Sequence, residues 1–251
     1  TLMIYSMDQL PRFHKNFGRP YIYKNMLLLM ASDWFLNSKT LGLINEALPL
    51  TIAFEEEGGF EDPEPSKLKK YIKEPLKDVY TLPMFSEEFC SMFMDEVQNM
   101  EQQFSFEPNS AELKQHQINE FVLQENASDL YMSLMKLVIS KINVVFQTIW
   151  NRDVVAGGIQ VANYNPREIT HTAWHHDSSS DITMVVPLNT GKYKGGGTEF
   201  FKRGIIDPLP NGSALIFPGF THLHRGLPVE EGDRYLLVFW LQSQERKDDA
   251  K

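Results

Sequence analysis

The stretch "AWHHDSSSDITMVVPLN" runs from Ala173 to Asn189 and places two histidines and an aspartate directly before an apolar run. The aliphatic and β-branched residues after Asp181 favour a strand. His175 and Asp177 are separated by one residue, and in extended backbone residues i and i+2 project to the same face. The imidazole and the carboxylate can therefore meet one metal ion at the start of this strand. A single His-x-Asp motif is a weak signal, so a third ligand must come from elsewhere in the chain.

The chain around this stretch has a β-rich texture after Trp150. Short runs separated by Gly, Pro and Asn turns follow one another, namely "GGIQVANYN", "DITMVVPLN", "GGTEFF", "GSALIFPG" and "RYLLVFWLQ". Such spacing is typical of a sandwich or barrel of antiparallel strands. The sequence therefore predicts a β-core in the second half of the chain.

Upstream of Trp150 the patterns predict helices. "KDVYTLPMF" predicts a strand, and Ser86 follows it as the expected N-cap of an amphipathic helix over residues 87 to about 102. A second helix is predicted with Ser128 as its cap. Its apolar residues recur at helical spacing and form one stripe: Leu134, Leu137, Val138, Ile142, Val145 and Ile149.

Composition limits the function classes. The chain has 251 residues, 42% hydrophobic and 23% charged, which is an ordinary globular composition. The formal net charge of −9 argues against a nucleic-acid partner and favours a cationic one, such as a Lys- or Arg-rich peptide.

We expect no membrane span and no signal peptide. Because the chain opens with Thr1 rather than Met, we expect an excised domain. A homodimer is an open alternative.

Cys90 is the only cysteine of the chain. It cannot form an internal disulfide, which argues against a disulfide-stapled extracellular module and slightly favours a cytoplasmic or nuclear location. Because Cys90 lies in a helical pattern, we interpret it as a small buried residue rather than a nucleophile.

The candidates for the third metal ligand are His222 and His224 in "FPGFTHLHRGLP", which follow a β run and a Pro-Gly turn. Arg234 comes ten residues after His224, at the head of the last strong strand. Two histidines and one carboxylate form the facial triad of non-heme Fe(II) oxygenases, which leaves positions open on the metal. Those positions accept a bidentate oxo acid and O₂, and the planar fork of an arginine suits the distal carboxylate of that acid.

These blocks resemble the Fe(II)- and 2-oxoglutarate-dependent peptidyl hydroxylases, and within them the C-terminal domain of the procollagen lysyl hydroxylases. The resemblance covers roughly Tyr71 to Gln242 and is carried by "HHDSSSDITMVVPLN", "YKGGGTEFF", "GSALIFPGFTHLHRGLP" and "GDRYLLVFW". It implies a mainly β fold with flanking helices (α+β), a double-stranded β-helix of the jelly-roll or cupin-like kind. It also implies a catalytic domain over residues 71–245, preceded by an N-terminal extension with an acidic loop over residues 1–70.

The family spacing implies His175, Asp177 and His224 as iron ligands and Arg234 as the 2-oxoglutarate anchor. Tyr164, in "VANYNPRE", matches a family tyrosine that precedes the first ligand by the same interval and contacts the co-substrate. The cofactors implied are Fe(II), 2-oxoglutarate and O₂, with ascorbate as a further candidate. His222 is then expected to be a strand-end residue near the site.

The function implied by the resemblance is hydroxylation of a peptidyl lysine in a collagen-like or other Lys-containing peptide. The alternatives are a peptidyl-prolyl hydroxylase or another protein oxygenase, and a catalytically silent binding module. The resemblance also leaves the endoplasmic reticulum lumen open as the location. An acidic rim that attracts a cationic peptide is expected from Glu55, Glu56, Glu57, Glu61 and Asp62.

Several further positions near the candidate site carry expectations of their own. Asp181, which interrupts the family's link into the strand, is the candidate partner for the lysine ammonium. His176 is expected to point away from the metal. The glycines 195–197 are interpreted as a bulge that allows close approach, since no Lys-Ser/Thr pair and no helix follow them as in a phosphate loop. Trp174 and Trp240 are interpreted as packing residues.

Overall fold

The computed structural model describes residues 35–46, 69–103 and 119–245, and all structural statements below concern this part of the chain. A short helix α1 covers residues 38–46. The further helices are α2 (Glu87–Gln103), α3 (Leu123–Asn126), α4 (Ser128–Leu137) and α5 (Asn143–Trp150), with a π-helical turn at Val138–Ile142 between the last two. The strands are β1 (Lys73–Leu76), β2 (Val79–Pro83), β3 (Asn119–Val122), β4 (Arg152–Tyr164), β5 (Ile182–Pro187), β6 (Lys194–Gly195), β7 (Thr198–Phe200), β8 (Gly204–Ile206), β9 (Ser213–Phe217), β10 (His224–Gly226), β11 (Val229–Glu231) and β12 (Arg234–Glu245).

The strands form one large sheet and two small ones. The large sheet has the order β1-β2-β9-β5-β12-β4-β3, and every pairing in it is antiparallel. The small sheets are β10-β7-β8 and β11-β6. Each of the predicted β runs after Trp150 overlaps at least one of these strands, so the predicted β-core is confirmed.

The two faces of the large sheet pack against different partners. On β12, Leu237 and Phe239 belong to the core shared with the helices, whereas Leu236 and Val238 belong to a second core with Val229 of β11. Side chains alternate between the faces of a strand. One face therefore carries the helices, and the other, called the inner face below, is turned to the small sheets.

The predicted helices are present, with one error at a boundary. Ser86 accepts a hydrogen bond from the Phe89 amide (3.1 Å) ahead of α2, as a cap should. At α4 the cap position is Ala127, and no side chain caps the helix, so the prediction that Ser128 is the cap is wrong. The predicted stripe is buried except for Ile149, which packs partly buried against the same core.

The helical stretch Ser128–Trp150 is long and apolar enough, by length and composition, to cross a membrane. Its apolar stripe, however, packs in the core beside β4, as in the core helix of a globular domain. The expectation that the chain has no membrane span stays a prediction.

The N-terminal part of the described chain joins the same core. Phe35 and Leu43 are fully buried, and Leu36 forms an antiparallel bridge with Phe85. The domain boundary at residue 70 stays a prediction, and the acidic loop lies outside the described residues. Cys90 is 1% exposed and burial raises the pKa of its thiol to about 12, which confirms a small buried residue.

Candidate metal centre

Two backbone segments bring the three candidate ligands together. His175 and His224 form an antiparallel bridge in which each amide donates to the other's carbonyl, at 2.9 and 3.0 Å. The amide of Asp177 donates to the carbonyl of Gly219 (3.1 Å), in the turn that leads into β10. The loop after β4 and the strand start at β10 are therefore fixed side by side, so ligands far apart in sequence become neighbours.

The ligand atoms of His175, Asp177 and His224 all lie within 4.8 Å of one another, and no other group of this kind occurs among the described residues. Each histidine Nε2 is 3.7 Å from a different oxygen of the Asp177 carboxylate. Two imidazole nitrogens and one carboxylate that converge in this way fit a divalent transition metal such as Fe(II).

Hydrogen bonds orient each ligand. Nδ1 of His175 donates to the carbonyl of Ala173 and Nδ1 of His224 to that of His222, both at 2.8 Å. A donating Nδ1 carries the proton, so Nε2 presents its lone pair to the metal. The Thr183 hydroxyl donates to Oδ2 of Asp177 (2.6 Å), which fixes the carboxylate.

The electrostatics of His224 agree with this role. The residue is 6% exposed, and burial lowers its pKa to about 4 against the opposing effect of Asp177. The imidazole is therefore neutral at pH 7, which is the form that binds a metal. His175 is more open, with 40% of its side chain exposed, so the site has an accessible side.

Two residues that position the ligands were not predicted from the sequence. Thr183 lies on β5 and could have been found from strand alternation, which turns it to the inner face. Gly219 was read only as part of a turn. A Cβ on Gly219 would overlap Oγ1 of Thr183 and lie 3.0 Å from Cβ of Asp177, so the Asp177 loop can approach only a glycine.

The predicted co-substrate residues meet at the other end of the inner face. Arg234, the first residue of β12, pairs with Tyr164, the last residue of β4, and its guanidinium carbon lies 5.3 Å from the centroid of the tyrosine ring. Arg234 is 4% exposed and donates to the carbonyl of Gly197 (3.2 Å), while its buried Nε has no hydrogen-bond partner. A buried guanidinium with an unused donor is suited to receive an anion.

The glycine triplet makes room for this arginine. Glycines 195, 196 and 197 have φ angles of 77°, 79° and 106°, a backbone region that residues other than glycine rarely adopt. A Cβ on Gly196 would lie 3.2 Å from Cδ of Arg234. The close approach expected at the glycines is therefore confirmed, whereas the register irregularity of the β11–β6 pair lies on β11, between Val229 and Glu231. A cavity beside it, between the sheets, is lined by Arg234 and by Val185, Thr198, Leu215 and Leu236, among others.

Other candidates lie away from the ligand group. His222 is 4% exposed and packs near Phe200 and Phe217, and its backbone carbonyl accepts the hydrogen bond from Nδ1 of His224. His176 is exposed and is not a member of the group, as expected.

The expectation that Asp181 partners the lysine ammonium stays a prediction. Its exposed carboxylate already has a partner, because Oδ2 accepts a hydrogen bond from the amide of Ser243 (2.8 Å). The two tryptophans pack as interpreted. Trp174 lies under the guanidinium of Arg225 (4.6 Å), and Trp240 packs on the inner face.

Comparison with known proteins agrees with this geometry. Residues 159–242 match the 2OG-Fe(II) oxygenase superfamily, and residues 28–150 match the OGFOD2-like domain. The β-rich half of the chain therefore matches the 2OG-Fe(II) oxygenase superfamily, and the family resemblance seen in the sequence is confirmed. A match to this superfamily implies Fe(II), 2-oxoglutarate and O₂.

More particularly, the curated relatives are procollagen lysine hydroxylases. The human multifunctional procollagen lysine hydroxylase and glycosyltransferase LH3 is 28% identical over 176 residues, which is 66% of this chain and 24% of that protein. Human procollagen-lysine,2-oxoglutarate 5-dioxygenase 2 is 24% identical over 179 residues, 68% of this chain and 24% of that protein. The chain spans about a quarter of the length of these relatives.

Solved structures show the fold. A prolyl hydroxylase from Trichoplax adhaerens has a TM-score of 0.53 at 15% identity and covers 88% of this chain and 100% of that chain. An oxidoreductase of the 2OG-Fe(II) oxygenase family from Burkholderia pseudomallei has a TM-score of 0.51 at 12% identity, covering 74% of this chain and 92% of that chain. The predicted double-stranded β-helix is confirmed.

Proposed function

We propose that the protein is an Fe(II)/2-oxoglutarate-dependent dioxygenase that hydroxylates a lysine side chain in a peptide or protein. The observation that carries this proposal is the convergence of His175, Asp177 and His224 on one point, with Arg234 buried on the same inner face. The names of the curated relatives, which are lysine hydroxylases, support lysine as the target.

In this proposal each residue has a defined task. His175 and His224 would hold Fe(II) through Nε2, and Asp177 through its carboxylate. When bound, iron and 2-oxoglutarate supply oxidative chemistry, in which O₂ converts the acid to succinate and CO₂ and a substrate C–H becomes C–OH. Arg234 would bind the distal carboxylate of 2-oxoglutarate and Tyr164 would add a hydrogen bond. Their burial excludes water from that end of the cavity, which strengthens the charge pairing.

The test is incubation of the protein with Fe(II), 2-oxoglutarate and peptides that differ only in Lys or Pro at one position. Succinate and the +16 Da product are measured, with His175→Ala as the control. A lysine product that needs both Fe(II) and His175 supports the proposal. Turnover of 2-oxoglutarate by His175→Ala at the wild-type rate contradicts the assignment of the metal ligands.

Two other functions are decided by the same experiment. A peptidyl-prolyl hydroxylase is the second candidate, because the solved neighbour of similar fold from Trichoplax adhaerens is a prolyl hydroxylase bound to a peptide fragment. It would give product only from the proline peptide. A silent binding module would bind peptide without any iron-dependent succinate.

The location and remaining partners belong to the same proposal. The curated relatives act, by name, on procollagen, a secretory protein, which supports the endoplasmic reticulum lumen. They do not support the cytoplasmic or nuclear preference drawn from the single cysteine. A cationic peptide partner, the lack of a nucleic-acid partner, a homodimer and a role for ascorbate stay predictions.

A further inference from the structure

Two buried acceptor atoms on neighbouring strands have no hydrogen-bond partner. They are Oε1 of Gln160, on β4, and Oε2 of Glu120, on β3. Gln160 as a whole is 3% exposed. A buried polar atom without a partner costs free energy, so native structures rarely keep one unless a water or a ligand satisfies it. Two such acceptors side by side indicate a missing donor.

Both side chains project from the inner face. Ile159 and Val161, which flank Gln160 on β4, lie in the helix-side core, so Gln160 points the other way. Glu120 is in register with Ala162, which belongs to the core on the inner face. Val122, two residues from Glu120, is in register with Gln160, so Glu120 and Gln160 are diagonal neighbours on one face.

The strand register relates this pair to the metal centre. Thr183, which holds Asp177, is in register with Trp240 of β12, which in turn is in register with Gly158 of β4. Gln160 is two residues along β4 from Gly158, towards Tyr164. The backbones of Thr183 and Gln160 are therefore about 12 Å apart, from one two-residue step along the strand and two strand spacings across the sheet.

Tyr164 connects the two places. Burial raises the pKa of its hydroxyl and Arg234 lowers it. The carboxylates of Asp177 and Glu120 both raise this pKa further. Tyr164 lies two residues beyond Ala162, the strand partner of Glu120, and on the same face of β4. The acceptor pair lies beside the site and on the same face.

We propose that Oε1 of Gln160 and Oε2 of Glu120 accept hydrogen bonds from the ε-ammonium of the substrate lysine and so select lysine over an apolar side chain. This rests on the proposed function and specifies its substrate subsite. An ammonium carries three donors on a flexible stem and has a charge that a carboxylate pairs with. A proline side chain has no donor and would leave both acceptors unsatisfied.

The state of Glu120 without substrate agrees with this role. Burial raises the pKa of its carboxyl to about 7, and no described cation forms an ion pair with it. An arriving ammonium would stabilise the ionised carboxylate. The co-substrate is the other molecule that Gln160 could contact. A carboxylate of the co-substrate would accept a hydrogen bond from the side-chain N–H of Gln160 and would leave the acceptor Oε1 without a partner.

The test uses Glu120→Gln, which removes the charge at constant shape, and Gln160→Met, which removes the acceptor at similar length. Asp181→Asn is the matched control, because its exposed carboxylate bonds Ser243. Two peptides with Lys or norleucine at the target position are titrated, by fluorescence anisotropy, into protein loaded with Mn²⁺ and N-oxalylglycine. We expect the wild type and Asp181→Asn to prefer the lysine peptide. Each subsite variant should lose about tenfold or more of that preference, as expected for a hydrogen bond to a charged group.

The outcomes separate this proposal from the proposed function. A wild type that binds both peptides equally, or variants that keep the full preference, overturn the subsite. A raised KM for 2-oxoglutarate in Gln160→Met with the preference intact assigns Gln160 to the co-substrate and also overturns it. If the wild type prefers the lysine peptide and the variants do not, yet no lysine is hydroxylated under turnover conditions, the subsite stands and the proposed activity fails.

Discussion

At the residue scale, each predicted ligand is held by a partner that was not predicted. Alternation along an extended segment was enough to pair His175 with Asp177. It could not choose between His222 and His224, because residues two apart on one strand face the same way; the family spacing was needed. Gly219 was missed because its contacts with Asp177 and Thr183 join segments distant in sequence, which no local pattern reveals, whereas Thr183 lies only six residues from Asp177 and could have been found from strand alternation.

The hydroxyl of Thr183 is expected to tune the metal site through Asp177. Thr183→Val keeps the shape but removes the donor at 2.6 Å from Oδ2 of Asp177. Loss of such an outer partner typically weakens metal affinity about 10- to 100-fold. Titration of the apoprotein with Co²⁺, followed by its visible absorption, measures the effect, with Thr170→Val as the control. Equal affinity of the Thr183 and Thr170 variants would show that Asp177 is fixed by its backbone alone.

The two histidines of "THLH" should behave differently. His224→Ala should lose stoichiometric iron, because a site with two protein ligands holds Fe(II) poorly. His222→Ala should retain iron but unfold at a lower temperature, because a buried ring near Phe200 and Phe217 is lost. Iron content and thermal unfolding are measured together on both variants. If His222→Ala is the one that loses iron, the third ligand has been assigned to the wrong histidine.

Arg234 is expected to serve the co-substrate and not the metal. Arg234→Ala should raise the KM for 2-oxoglutarate strongly, because an unpaired buried carboxylate costs on the order of 2–5 kcal/mol. Iron content should stay near the wild-type level. Arg234→Lys should recover only part of the loss, since an ammonium lacks the planar fork. An unchanged KM in Arg234→Ala would move the anchor elsewhere.

At the element scale, the longer strands and helices could be predicted and the shortest could not. β4, β5, β9 and β12 are apolar runs bounded by turn residues, which is a strong strand signal. β6, β8, β10 and β11 have two or three residues each, too few for any periodicity to register. The cap error at Ser128 is of another kind, because a backbone conformation (φ −149°, ψ 62°) puts Ala127 in the cap position.

A substitution in the turn between β9 and β10 tests how closely this turn packs against the Asp177 loop. Gly219→Ala would place a methyl group against Thr183 and Asp177, and overpacking of this kind costs about 1–3 kcal/mol. We expect both a lower unfolding temperature and weaker metal binding, because the displaced loop carries Asp177. Ser178→Ala, an exposed change in the same loop, is the control. A Gly219 variant with normal Co²⁺ affinity and normal unfolding would refute the close-approach argument.

At the scale of the whole molecule, the order of helices before a β-core was predictable from the hydrophobic pattern and the turn residues. The pairing of the strands was not. β12 lies between β4 and β5 and joins residues far apart in the chain, so the layout depends on tertiary register. Charge is the other whole-molecule property that the sequence supplies. It depends on composition alone, and it bears directly on a charged substrate.

The net charge of −9 should make the reaction with a cationic peptide sensitive to salt. An acidic surface attracts such a peptide and raises its encounter rate, and ions screen this attraction over about 10 Å at 0.1 M. We therefore expect kcat/KM for a lysine peptide to fall as NaCl rises from low to high concentration. A norleucine peptide of otherwise equal sequence should bind with a weaker salt dependence, which separates the target lysine from the rest of the peptide. Preference for proline with no salt dependence would discard the lysine assignment and leave the iron site in place, because the ligand geometry does not depend on surface charge.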